Sequence, residues 1–133
     1  MSIADVEGIG PAYAGKLAEA GVNTVDDLLG RGGTKAGREQ IAAASGVSET
    51  LVLEWVNHAD LMRVDGVGSE YSDLLEAAGV DSVVELSQRN AANLTAALAT
   101  ANEQRSLVRR LPTESEVARW SEHAGTLDRA IHH

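Results

Sequence analysis

Apolar positions along this chain recur at three- and four-residue intervals, and no stretch sustains one-by-one alternation. Tyr13, Leu17 and Ala20 fall at i, i+4 and i+7, which predicts a helix from about Pro11 to Ala20 with Gly21 as its stop. Thr24 is the expected N-cap of a second, short helix, with Asp26 and Asp27 in its first turn and Arg31-Gly32-Gly33 at its end. A third helix is expected from about Lys35 to Ala44. A fourth opens at Ser48 and runs to about Met62, with Val52, Trp55, Ala59 and Met62 as its apolar face. Further helices are expected over Ser69–Ala78, Ser82–Gln88, Ala91–Arg105 and Thr113–Leu127, the last with Thr113 and Glu116 at capping-box spacing. The pattern predicts an all-α protein.

The same pattern occurs twice. Val6, Gly8, Gly10, Tyr13, Leu17, Ala20, Gly21, Val22, Val25 and Leu28 are matched, at an offset of 58, by Val64, Gly66, Gly68, Tyr71, Leu75, Ala78, Gly79, Val80, Val83 and Leu86. Trp55, His58 and Ala59 are matched by Trp120, His123 and Ala124 at an offset of 65, so seven residues are inserted between the blocks, around Asn102 to Leu111. A long period with both ends matching indicates two copies of one helical unit, over residues 1–62 and 63–131. Only Arg63-Val64-Asp65 separates the fourth helix from the Gly66 turn, which leads us to expect two tandem units packed as one rigid body.

Each copy opens on an apolar-x-Gly-apolar-Gly turn that leads straight into a helix: Val6-Glu7-Gly8-Ile9-Gly10 and Val64-Asp65-Gly66-Val67-Gly68. Glycines one residue apart allow a tight reversal at positive φ, and we expect that conformation at Gly10 and Gly68. The first N–H groups of the following helix then point outward, where they can receive an anion.

Composition narrows the picture. With no Phe and only 3% aromatic residues, the core must be Leu, Val, Ile and Ala. The absence of cysteine excludes disulfides and thiolate metal sites. No basic, apolar leader opens the chain and no apolar run is long enough to cross a bilayer, so a cytoplasmic protein without membrane contact is expected. His132-His133 follows no pattern and is set aside from functional reasoning. A net charge of −9 opposes general polyanion binding through long-range repulsion.

Against that background the candidate binding residues are few. The first turn offers Gly8, Ile9 and Gly10 with Lys16 nearby; the second offers Gly66 and Gly68, but among Asp65, Glu70 and Asp73. If either turn holds an anion, the first is expected to, because Lys16 becomes Leu74 in the second copy. Arg105, Arg109 and Arg110 form the one local cationic cluster, with Glu103, Glu114 and Glu116 as neighbours able to neutralise it. Tyr13, Tyr71, Trp55 and Trp120 sit on apolar stripes and read as core rather than as stacking platforms. Glu54 and His58 share a helical face, but two ligands make no metal site, and no metal or cofactor is expected. No phosphate loop with Lys-Ser/Thr and no His-Glu-x-x-His occurs, so the chain is not expected to be an enzyme.

The Gly8-Ile9-Gly10 turn followed by Ala14 and Leu17 resembles the helix-hairpin-helix motif, and Ala44-Ser45-Gly46-Val47 resembles a weaker second hairpin. Each copy is thus similar to the double helix-hairpin-helix domain of DNA repair and recombination proteins, the first especially to the N-terminal domain of archaeal recombinases. From Val6 to Leu127 the chain also resembles a bacterial family, domain of unknown function 4332. Its most specific matching segments are Arg63 to Tyr71 and Leu107-Val108-Arg109-Arg110-Leu111-Pro112. These resemblances imply the fold rather than an activity. Two functional expectations follow. One is a non-enzymatic interaction or scaffold module for a protein partner or for a second copy of itself. The other is a nucleic-acid binder that contacts the phosphate backbone through its hairpin turns.

Overall fold

The computed structural model describes residues 2–132. Among them are eight α-helices: α1 (Pro11–Glu19), α2 (Val25–Gly32), α3 (Lys35–Ser45), α4 (Glu49–Leu61), α5 (Ser69–Ala77), α6 (Val83–Ser87), α7 (Ala91–Arg105) and α8 (Glu114–Ala124). A 3-10 turn, Ile3–Asp5, precedes them. The all-α expectation holds: the described residues contain no strand, only an isolated bridge between Ser2 and Thr24. Helix starts follow the side chains that cap them. The Thr24 hydroxyl accepts from the Asp27 N–H at 3.0 Å, and the Asp27 carboxylate accepts from the Asn23 and Thr24 N–H groups at 3.1 Å. The Asn23 N–H and the Thr24 groups hold that carboxyl below its ordinary pKa. The side chains of Thr34, Ser82, Asn90 and Thr113 likewise accept from the N–H three residues on and cap α3, α6, α7 and α8, with the reciprocal carboxylate bond at Thr113. Helices α1 and α5 differ: their N-caps are Gly10 and Gly68, which have no side chain to give.

The chain divides into two compact units, residues 2–60 with 130–132 and residues 61–129. In the first, α1 and α2 pack on α3 around Leu17, Val22, Leu28, Ile41 and Val52. Arg31 reaches back from α2 to the Ala20 carbonyl and closes the end of α1. On α4 burial is wider than one face, since every residue from Trp55 to Leu61 is buried, Asn57, His58 and Asp60 included. The C-terminal residues belong to this unit. Ile131 is buried and the His132 N–H donates to the Gly33 carbonyl at 2.7 Å, so His132, which the sequence pattern left aside, has a structural place. In the second unit α6 and α7 pack on α8, and α5 on α7, around Leu74, Leu75, Leu86, Leu94, Leu98, Val117 and Trp120.

The two glycine turns share one geometry, and it corrects the expectation about which glycine carries the strain. Positive φ belongs to Gly8 (+88°) and Gly66 (+91°). Gly10 (φ −86°, ψ −176°) and Gly68 (φ −96°, ψ −167°) are extended, as any residue can be. The reason is steric. The Ile9 N–H must reach the Val6 carbonyl (3.0 Å) and the Val67 N–H the Val64 carbonyl (3.0 Å), and such a turn takes positive φ at the second of the two residues between, Gly8 or Gly66. The Trp indole then fills the space where a side chain would go: a Cβ on Gly66 would stand 2.9 Å from Trp120 Nε1, and one on Gly8 3.4 Å from Trp55 Nε1. Each indole also meets a tyrosine of the following helix, Tyr13 on Trp55 at 5.0 Å between centroids and Tyr71 on Trp120 at 5.1 Å.

Substitution separates the two positions in each turn. Gly66→Ala is expected to destabilise by about 1–3 kcal/mol, through positive φ and displacement of Trp120. Gly68→Ala, whose Cβ would meet nothing within 4 Å, should stay within about 0.5 kcal/mol of the parent. Urea unfolding of the two variants checks this, and equal losses would show that the turn is not built as described.

Candidate binding groove

The second unit carries the inserted residues, and they re-shape its surface. Helix α7 has 15 residues where α3 has 11, and it ends at Ser106 in the left-handed region (φ 52°). The chain that follows would be a loose loop without anchors. Three hold it. The Asn102 side chain makes a reciprocal pair with Val108, accepting from its N–H at 3.0 Å and donating to its carbonyl at 3.2 Å. Leu107 and Val108 lie against the core. The Tyr71 hydroxyl donates to the Arg110 carbonyl at 2.9 Å. Because Tyr71 is in the first turn of α5, this last bond brings Arg109 and Arg110 to the Gly66–Gly68 turn. Together they border a groove of about 460 Å³ lined by Gly66, Gly68, Ser69, Glu70, Tyr71, Val108, Arg109 and Arg110.

Four of the residues singled out from the sequence therefore meet at one place: Gly66, Gly68, Arg109 and Arg110. Arg105 stays in the last turn of α7, exposed and outside the groove. The first turn receives no such company. Ile9 is buried, so only its backbone is accessible chemistry. Lys16 Nζ sits over the Tyr13 ring, 5.8 Å from its centroid. Sequence proximity pointed to the first turn as the better anion host; the fold supplies arginines to the second.

The arginines are not equivalent. Arg110 makes a two-pronged pair with Glu116, Nη1 to Oε1 and Nη2 to Oε2, both at 2.9 Å. Glu116 is also the capping-box residue of α8, accepting from the Thr113 N–H at 3.2 Å. The Arg110 guanidinium and then the Thr113 N–H push the Glu116 carboxyl down to about 2, and Glu116 raises Arg110 above its ordinary value. Arg109 is exposed at the groove. Glu70 places a carboxylate on the same lining, and Tyr71 and Val108 give it apolar walls.

One contributor is invisible to motif reading. His123, one turn after Trp120 on α8, accepts the Asp65 N–H at Nδ1 (3.0 Å), so its proton lies on Nε2. Trp120 and His123 thus fix Gly66 and the residue before it from the same helical face. The only sequence signal was their recurrence as a pair three residues apart.

The Arg110–Glu116 pair has a pH signature. The Glu116 folded pKa, about 2, lies below the ordinary value of 4.5. Its contribution to stability is therefore complete above about pH 4.5 and is lost as pH falls towards 2. Melting temperatures of the parent should fall more steeply than those of Glu116→Gln across that window, and added salt should shrink the difference because the pair is exposed. Parallel curves for the two proteins would contradict the pairing.

No curated protein and no solved structure matches this chain. A family model does, over residues 7–127, which include both glycine turns and the whole groove. The chain belongs to the family described as Domain of unknown function (DUF4332).

Proposed function

We propose that this chain is a non-enzymatic interaction module built from two helix-hairpin-helix units, and that the groove beside Gly66–Gly68 is its contact face for a protein partner or a second copy of the chain. The observation that carries this reading is the mixed lining of the groove. Arg109 and Arg110 share it with Glu70, Tyr71 and Val108, which suits a protein surface bearing both signs of charge and an apolar side chain. Phosphate is met by Arg and Lys, neutral donors and backbone N–H groups, and a glutamate such as Glu70 in the lining opposes it. The net charge of −9 and the commitment of Arg110 to Glu116 argue in the same direction. A cytoplasmic setting is part of the reading; no described helix is long and apolar enough to cross a membrane.

A second reading has one observation in its favour. The start of α5 has a glycine N-cap with no side-chain bond, and Arg109 stands beside it, an arrangement able to take one phosphate of a nucleic-acid backbone. One such contact gives a salt slope of only about −0.9.

Two measurements decide between them. A photo-crosslinker placed at exposed Leu111 in cells should yield protein adducts that Arg109→Glu abolishes. Anisotropy of labelled duplex and single-stranded DNA should show no binding at physiological salt. Micromolar DNA binding with a salt slope of about −0.9, weakened by Arg109→Glu, would overturn the protein reading in favour of the nucleic-acid one.

A further inference from the structure

One wall of the groove is tied to α8 by a hydrogen bond whose acceptor can take a proton. The Asp65 N–H donates to His123 Nδ1 at 3.0 Å, and no other described group accepts from it. The backbone that carries the ring is fixed. The Thr126 N–H and hydroxyl donate to the His123 carbonyl at 2.9 and 2.7 Å and close the end of α8. The ring therefore reaches Asp65 through its own side-chain torsions, and the bond needs a lone pair on Nδ1.

That lone pair exists only in the neutral imidazole. A proton on Nδ1 turns the acceptor into a donor, so two N–H groups face each other and the bond is lost. Between about pH 5 and 8, histidine is the side chain that ordinarily changes charge. His123 is half-buried and borders an open pocket of about 470 Å³, so protons reach it from solvent. The charged groups that face it there are Asp65 from the turn and Glu116, Arg119 and Glu122 from α8. Helices α6 and α7, which pack on α8, add none to that lining. Glu116 is engaged by Arg110, which leaves Asp65 and Glu122 as the carboxylates to which an imidazolium can turn, with Arg119 opposing.

The consequence reaches the groove, because Gly66 lines the pocket and the groove alike. It follows Asp65 directly and stands at φ +91° against Trp120. Losing the Asp65 bond frees the entry to this turn, while Trp120 and the bond from the Val67 N–H to the Val64 carbonyl stay in place. The turn then loosens without unfolding. We propose that His123 is a protonation switch for the groove. The neutral ring holds the Gly66 wall in its binding arrangement, and protonation releases it as pH falls from about 8 to about 5. As a control over binding, the switch rests on the reading of the groove as a contact face. It is read in the free protein, so its failure and the failure of that reading are told apart.

The test is an NMR titration of the isotope-labelled full chain, without a partner, from about pH 8 to about pH 5. At the upper end a scalar coupling across the hydrogen bond, between the Asp65 amide nitrogen and His123 Nδ1, is expected. At the lower end it should be lost. The Asp65, Gly66 and Gly68 amide signals should move along one sigmoid that shares its midpoint with the His123 imidazole. His123→Asn replaces Nδ1 by a side-chain oxygen that accepts but does not titrate, and should hold the three amides still across the range. Amides that stay in place while the imidazole titrates, or that move equally in His123→Asn, overturn the proposal. If His123→Asn does not fold, the coupling in the parent decides alone: its loss in step with the imidazole supports the switch, and its persistence at the lower end refutes it.

Discussion

The indole of Trp120 lies so close to Gly66 that a methyl group on the glycine would stand 2.9 Å from Nε1, and Trp55 stands over Gly8 in the same manner. The remainder of each unit depends on this contact. It explains why the first glycine of each turn is required, since the backbone there is left-handed and the side-chain direction is already occupied. It fixes where the next helix starts, because the turn ends in an extended glycine that caps α1 or α5 without a side chain. It also seats the tyrosine of that helix against the indole, joining the first helix of the unit to the last through an aromatic pair. Such pairs add about 0.5–1.5 kcal/mol beyond area burial. A turn that sequence motifs present as a binding device is, in its first glycine, a packing device.

The two units use that shared frame differently. Tyr13 is 36% exposed and carries Lys16 over its ring. Tyr71 donates its hydroxyl to the Arg110 carbonyl and so holds a segment that the first unit lacks. The acidic flank that made the second turn look hostile to anions is offset by residues some forty positions further along. Electrostatic character at a turn is decided by which chain segments the core brings beside it, and a one-dimensional reading of neighbours misses that.

Much of the architecture was legible in the residue order. Caps such as Thr24 and Thr113 announced helix starts, since a side-chain oxygen three residues before an N–H acts locally and needs no tertiary information. The bounds of α7 were readable for the same reason, but the stripe expected on α1 was not: within that helix Leu17 is the buried residue, Ala20 is its C-cap, and Tyr13, expected in the core, is 36% exposed. What was not legible depended on distant partners. The choice between Gly8 and Gly10 for positive φ turns on an indole 47 positions away, since Trp55 is what occupies the side-chain direction. The groove depends on Tyr71 meeting Arg110, and the burial of Arg38 depends on the carbonyl of His132. Residues 130–132 carry no periodicity, so nothing in their pattern signals that Ile131 is core.

The placement of the two tryptophans has an optical consequence. The chain has two indoles, one in each unit, both buried and each tilted against a tyrosine ring about 5 Å away. Its intrinsic fluorescence is therefore divided between the units by construction, with each tyrosine close enough to pass its excitation to the adjacent indole. Each emission reports on one glycine turn. The molecule carries its own pair of local gauges, and the opening of one turn is readable apart from the other without any label being attached.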